Sequence, residues 1–596
     1  MLDASILIAF LLALVVIGRW ASGRVHTSLD FHLAGRRLGK LPVALSLAAT
    51  EFNGSGLVGG AGLAYTVGIA GMFWNLSAVP AWIILGFTVA VALRKLSLYT
   101  VPEFLGTRYD SRARRLASVS QLLSGIIFLA VQVLVSALAI STMMDVPMVA
   151  AAMTVTVIFV LYTYGGGLLA VVWTDVICYF VLMAAVVIGF PLALRHAGWV
   201  AGLQQALPPE RFDLGQLGII EPLAWVALCF YSYGTDQAYV QRVFAARKVD
   251  AARFAYLFTG LNYVVFGGAV AVLGMSAAAL LPDLAHHDEA LPALIMHIFP
   301  PGVRGLFLTG VVAATMSTAS SFLAAGSSLF AKDIYEPLLA RGASETHLLT
   351  VSRWSTVGIA AVALLIALTA PRVVDAVVLS VLVSHAAVFF PIIAGLYWRR
   401  VAPAAGFWAI LAGAVGGVTS HFFIHEKVII LGLIHPLFFG PILSIMLHAQ
   451  RPMMNLFNRL YYAMCRLIYR LGRSSNSELF LRFGFEASFT VPPAHLVCGP
   501  HGYTVQLTFP RHSAREAIVE LLGICRSSPC PPVTTILRVH KPDDCLISFS
   551  EDGYSLNFEF HPKKRYETAS RETVDRLIDA TVRRDGKIHL AKDQVL

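Results

Sequence analysis

Between residues 1 and 450, apolar runs long enough to cross a bilayer follow one another almost without pause, and charged residues are confined to the short gaps between them. A span needs about 20 mainly apolar residues. The runs 3–22, 41–67, 70–93, 116–141, 147–168, 172–195, 222–242, 256–281, 302–330, 348–370, 373–398, 404–424 and 428–449 qualify, which gives thirteen expected spans. Lipid offers an open backbone no hydrogen-bond partner, so each run is expected to be a helix. Charged residues make up 13% of the chain, well below the share of about 25% in a soluble domain, as such a count of spans requires. The weakest boundary lies around Gly165–Gly167, between the fifth and sixth runs.

Basic residues set the orientation. The gaps Arg19–Lys40, Arg94–Arg115, Arg242–Arg253, Lys332–Arg353 and Arg399–Arg400 hold five, six, four, three and two of them. The alternate gaps are poor in Lys and Arg, and Leu281–His297 has Asp283, Asp288 and Glu289 with neither. Thirteen spans then place the N-terminus outside and the C-terminus in the cytosol, in a plasma (inner) membrane. Topology also explains much of the net charge of +10, so nucleic acid is not an expected partner. The seven cysteines show no paired zinc-like spacing and read as reduced thiols. The first run could imitate a secretory signal, but the basic cluster after it marks a first span with a cytosolic flank.

Two runs carry more polarity than packing needs. The second reads A-T-E-F-N-G-S-G-L-V-G-G-A-G-L-A-Y over 49–65. Glycine costs a helix about 1 kcal/mol against alanine, and a charge at membrane depth costs several kcal/mol. A helix broken beside a cavity uses both features, because its freed carbonyls can coordinate a cation. The competing reading is close helix packing through small residues. The ninth run reads M-S-T-A-S-S-F-L-A-A-G-S-S-L-F-A-K-D-I-Y over 316–335, and seven hydroxyls fall within Thr315–Ser328. Such oxygens are hard, neutral ligands for a desolvated monovalent cation, with Ser317 and Thr318 adjacent. They serve equally well as glue between helices, and density alone does not separate the two readings.

These two motifs occur in order with Y-T-V-P-E-F-L-G-T-R-Y (99–109), Y-G-G-G-L-L-A-V-V-W-T-D-V-I (164–177) and Y-G-T-D-Q-A-Y-V-Q-R (233–242). Over residues 1–450 the chain thereby resembles the sodium/solute symporter family, whose fold is the inverted repeat of the amino-acid transporter LeuT. The resemblance implies a sodium site made by the carbonyls of Ala49, Phe52 and Ala314 and the hydroxyls of Ser317 and Thr318. It also implies a sodium exit path past Asp175, whose alternative role is helix capping. Cys178 departs from the family pattern, where glutamine is common. The solute is expected beside the ion, with Glu51, Asn53, Trp74, Gln132, Tyr233 and Asp236 as candidate contacts. Gln132 and Trp74 read more readily as an interhelical bonding group and an interfacial aromatic than as solute contacts. Two acids there disfavour a multiply anionic solute. His385 reads as a packing residue rather than a proton relay.

Residues 451–596 have ordinary soluble composition. The stretch 451–484 is expected to be a basic amphipathic linker, with Arg459, Arg466, Arg470 and Arg473 suited to the anionic inner leaflet. Residues 485–596 alternate as strands at 503–509, 534–539 and 554–560, with helices at 513–526 and 570–584, an α+β pattern. The segments F-T-V-P-P, H-K-P-D-D, D-G-Y-S-L-N-F-E-F and G-K-I-H-L-A-K-D resemble the C-terminal half of FAD-linked oxidases, closest to decaprenylphosphoryl-ribose oxidase. That resemblance puts Lys592 where a lysine lies near flavin and substrate. The FAD-binding half is missing, so no cofactor is expected. The tail is read as a scaffold or regulatory remnant, or as a dock for a separate flavoprotein. The expected function is a symporter that couples uptake of a small solute to the sodium gradient. The alternatives are a membrane-anchored oxidoreductase subunit and a transporter-like sensor.

Overall fold

The structure is a computed structural model and describes residues 2–284, 286–369, 381–398, 401, 403–423, 503–528, 534–540, 553–560, 567–584 and 587–589. The chain divides into two compact units, Met1–Pro441 and Ile442–Leu596.

The first unit is helical. Among the described residues, seven helices are long and apolar enough to cross a membrane. Their outward faces keep large apolar side chains exposed, including Leu12, Val16, Leu123, Leu161, Phe180, Leu261 and Leu365. In water such faces would be a liability, whereas in lipid they face their own kind of solvent. The helix Val303–Ser328 is the opposite case. It is buried along nearly its whole length, which its serines, threonines, glycines and alanines allow by letting neighbours approach closely. Asp3 receives the backbone N–H groups of Gly302 (2.6 Å) and Gly305 (3.0 Å) and the Arg304 side chain (2.7 Å), so the first helix caps the start of this central one.

Among the described residues, three interruptions bear most on the site and on the span boundaries. The second run is a helix over Lys40–Glu51, a non-helical Phe52 (φ −73°, ψ 60°), a π-helical turn over Ser55–Gly59 and a helix over Gly60–Val67. The seventh run breaks likewise at Asp236 (φ −66°, ψ 127°), between Ile220–Thr235 and Gln237–Ala245. Two broken helices five runs apart are what two inverted repeats of five helices produce. The third interruption corrects a boundary. The fifth and sixth runs form helical structure from Met148 to His196 with no intervening loop, and the turn of direction is concentrated at Gly167 (φ 51°, ψ −143°). A Cβ there would lie 2.3 Å from the Phe31 carbonyl oxygen, so both the conformation and the space demand glycine.

The thirteenth run, 428–449, and the linker 451–484 lie outside the described residues. In the second unit the strands β1 (Tyr503–Pro510), β2 (Thr534–His540), β3 (Gly553–Phe560) and β4 (Lys587–His589) form an antiparallel sheet in the order β2-β3-β1-β4. The helices Arg511–Ser527 and Glu567–Val582 pack together over it through Ala517, Leu521, Cys525, Val574, Leu577 and Ala580, with Leu507 of β1 beneath.

Candidate cation and solute site

The break at Phe52 redirects backbone bonding. The Asn53 N–H donates to the Glu51 carbonyl (2.7 Å) rather than continuing the ladder to Ala49. The Ala49 and Thr50 carbonyls instead meet the central helix: Ser317 donates to Ala49 (2.7 Å) and Thr318 to Thr50 (2.7 Å). Both hydroxyls also lie 3.0 Å from the Ala314 carbonyl. All of these residues are buried. The cluster therefore assembles oxygens from Ala49, Thr50, Ala314, Ser317 and Thr318 with no charged atom among them, a donor set suited to a monovalent hard cation. Thr50 was absent from the set implied by resemblance. Its carbonyl is exposed by the same break, but one motif read alone does not show which carbonyls face the neighbouring helix. The Phe52 ring stacks on Phe266 (centroids 4.4 Å apart) and meets Tyr263 edge-on, which holds the break in place.

Directly beside these oxygens is a buried ion pair. Arg242 donates to Asp175 (Nη2–Oδ2 2.9 Å), and neither side chain has solvent exposure. Ser46 donates to Asp175 (2.6 Å) and accepts from Arg242 Nε (2.8 Å). Ser321 also accepts from Arg242, pairs with the Thr50 hydroxyl at 2.9 Å and donates to the Ser317 carbonyl (2.7 Å). Asp175 thus reaches the cation cluster through one layer of hydroxyls. It sits two turns beyond Gly167 inside a helix, so the capping alternative does not describe it. Arg242 closes the 233–242 motif, and nothing in that motif points to its partner, which lies 67 residues away.

The solute candidates separate. Glu51 is buried at the break and accepts hydrogen bonds from the hydroxyls of Tyr233 and Tyr263 (the latter 2.7 Å); the Tyr239 hydroxyl also faces its carboxylate, and among the described residues no hydrogen bond within 3.5 Å reaches its second oxygen, Oε2. Asp236 caps the second half of its broken helix through the Ala238 N–H (2.8 Å) and lies 3.5 Å from His385 Nε2. Gln132 is buried with its Oε1 unpartnered, facing Gly54. Asn53 is spent locally: it accepts from Ser55 Oγ (2.6 Å) and the Gly56 N–H (3.0 Å) and so restarts the helix. Trp74 is half-exposed, donates to the Ser55 carbonyl (3.2 Å) and meets Trp225 edge-on. Sequence reading missed Tyr239, which stood inside the quoted 233–242 motif, and Tyr263, whose only signal was a tyrosine inside an apolar run. His385, read as packing, faces Asp236. Lys592 lies outside the described residues.

The two broken helices, with an oxygen cluster between one of them and a buried partner helix, define an ion-coupled transporter of the LeuT type. A solved structure of a sodium-coupled sialic acid symporter in a substrate-bound, outward-open state superposes with a TM-score of 0.66 at 20% identity, covering 74% of this chain and 98% of that one. Residues 31–413 match the sodium:solute symporter family, and the chain belongs to that family. Its curated relatives include the sodium/glucose cotransporter of Vibrio parahaemolyticus, 27% identical over 61% of this chain and 74% of that one. The sodium/pantothenate symporter of Escherichia coli is 28% identical over 69% and 88% respectively. The protein is a membrane symporter that couples solute uptake to sodium.

Proposed function

We propose that the coupling ion is held by the carbonyls of Ala49, Phe52 and Ala314, joined by that of Thr50, and the hydroxyls of Ser317 and Thr318, and leaves to the cytosol past Asp175. The observation that carries this reading is the meeting of Ser317 and Thr318 with carbonyls released by the break at Phe52. An ion between them would take the oxygen lone pairs now used in those hydrogen bonds, drawing the two helices onto one ligand. Glu51, Tyr233, Asp236 and Gln132 form the adjacent solute side, while Asn53 and Trp74 shape the break. Solute and ion are coupled because both engage the same broken helix, so each favours the state the other binds. The relatives' names specify glucose, pantothenate and iodide, so membership alone does not name the solute.

In this reading the chain crosses the inner membrane thirteen times, with its N-terminus outside and the tail, an α+β domain like the C-terminal half of an FAD-linked oxidase, in the cytosol. Without an FAD-binding half the tail is a scaffold or regulatory module rather than an oxidase. Uptake into proteoliposomes tests the function. A solute found by stabilisation screening should accumulate under an inward sodium gradient and not under an equal potassium gradient. Equal accumulation under both would refute sodium coupling.

A further inference from the structure

Among the described residues, three carboxylates are buried around the breaks: Glu51, Asp175 and Asp236. One buried guanidinium, Arg242, faces them and is committed to Asp175. A sodium ion beside them adds one positive charge. One carboxylate remains without a counter-charge, and an unpaired buried charge is costly. The unpartnered side-chain atoms around the breaks are mainly acceptors: Glu51 Oε2, Gln132 Oε1, Gln121 Oε1 and, where Nε2–H points at Asp236, His385 Nδ1. Trp82 Nε1 and Trp225 Nε1 are the ring donors left unpartnered there, and the Ser384 hydroxyl can act either way.

An aromatic wall joins the two acids. Trp82 stacks on Tyr233 (4.2 Å), Tyr233 meets Tyr239 edge-on (5.4 Å) and Tyr239 meets Phe322 (6.4 Å). Phe322 stacks on Phe128 (4.9 Å), and Phe128 lies parallel to His385 (6.5 Å). Glu51 stands at the Tyr233 end and Asp236 at the His385 end.

We propose that the transported solute is an organic cation bearing a primary or secondary ammonium group on an apolar body. Its N–H groups donate to Glu51 Oε2, its charge completes the balance left by sodium and Arg242, and its body lies along the rings, whose faces attract cations. A neutral polyol would supply donors but no charge, and a carboxylate would add a fourth negative group. The proposal rests on the symporter reading above, and sodium dependence measured alone keeps the two separable.

The test is thermal stabilisation of the purified full chain in NaCl and in KCl, with cyclohexylammonium, cyclohexanol and cyclohexanecarboxylate as matched probes. Sodium alone should stabilise the protein; if it does not, the coupling-ion reading fails first. In NaCl the ammonium probe should raise the melting temperature further, with an apparent affinity at least about tenfold above either analogue. Glu51→Gln, checked for a single cooperative melt, should abolish the ammonium preference, and Asp236→Asn should reduce it in a second background. Sodium stabilisation without an ammonium preference would overturn the proposal, as would a preference that survives Glu51→Gln.

Discussion

Asp175 and Arg242 form the pair on which the inner side of the cation cluster rests. Removing one member of a buried pair leaves an uncompensated charge, at a cost of about 3–5 kcal/mol. Asp175→Ala should therefore lower the melting temperature sharply. Replacing both residues by apolar groups of similar volume should recover most of that loss, since burying a pair costs nearly what it gains. Transport should not recover, because Ser46, Thr50 and Ser321 lose the acceptor and donor that orient them. A double variant with restored melting temperature and normal uptake would show the pair to be structural alone. At this scale residue types were legible and partners were not. Glu51, Ser317 and Thr318 stood out as polar groups in apolar runs. Arg242 looked like a cytosolic flank charge, because it ends a run whose far half turned out to be buried. Asn53 looked like a ligand but restarts a helix, since an amide after a break caps as readily as it binds.

Among elements, the breaks at Phe52 and Asp236 are what turn a packed bundle into a site. The first was legible from its glycines, which make an unbroken helix expensive. The second was not, because Y-G-T-D-Q contains one glycine and its break depends on Asp236 capping the next half-helix. Gly167 marks the junction of the fifth and sixth runs, where hydropathy shows no gap. Gly167→Ala would place a side chain at a φ/ψ combination adopted almost only by glycine, about 1–3 kcal/mol by itself, and against the Phe31 carbonyl as well. Its melting temperature should fall by more than that of Gly268→Ala, where an added Cβ meets nothing within 4 Å; equal effects would refute the steric account. In the tail, period-two alternation placed β1, β2 and β3 within a residue of their observed ends, whereas the short β4 was read only as part of a motif. Cys525 lies between the two helices, and burial pushes its thiol up to about 12. The thiolate that alkylating agents need is scarce near neutral pH. Cys525 should stay unmodified in the folded chain and react on denaturation, as mass spectrometry of labelled peptides would show. The raised value also favours the protonated thiol in the folded state, so this contribution to stability falls as pH rises past the ordinary thiol value of about 8.5 toward 12.

For the whole molecule, charge asymmetry in the gaps predicts that a reporter after Leu596 is cytosolic and one within Leu281–His297 external. Reversal of either would undo the thirteen-span arrangement. Purified full-length protein should carry no stoichiometric flavin; a bound flavin absorbance would move the tail to the oxidoreductase reading. The central claim is that the break in the second run and the hydroxyls of the ninth share one sodium ion, and a sodium titration of stability in the purified protein addresses it most directly. A ligand bond to a charged group is worth about 1.5–3 kcal/mol, so Ser317→Ala with Thr318→Ala should weaken apparent sodium affinity by about a hundredfold or more. Ser327→Ala with Ser328→Ala, about three turns further along the same helix, should leave it near wild type. An unchanged sodium affinity in the Ser317/Thr318 double variant would mean that those hydroxyls only hold the helices together.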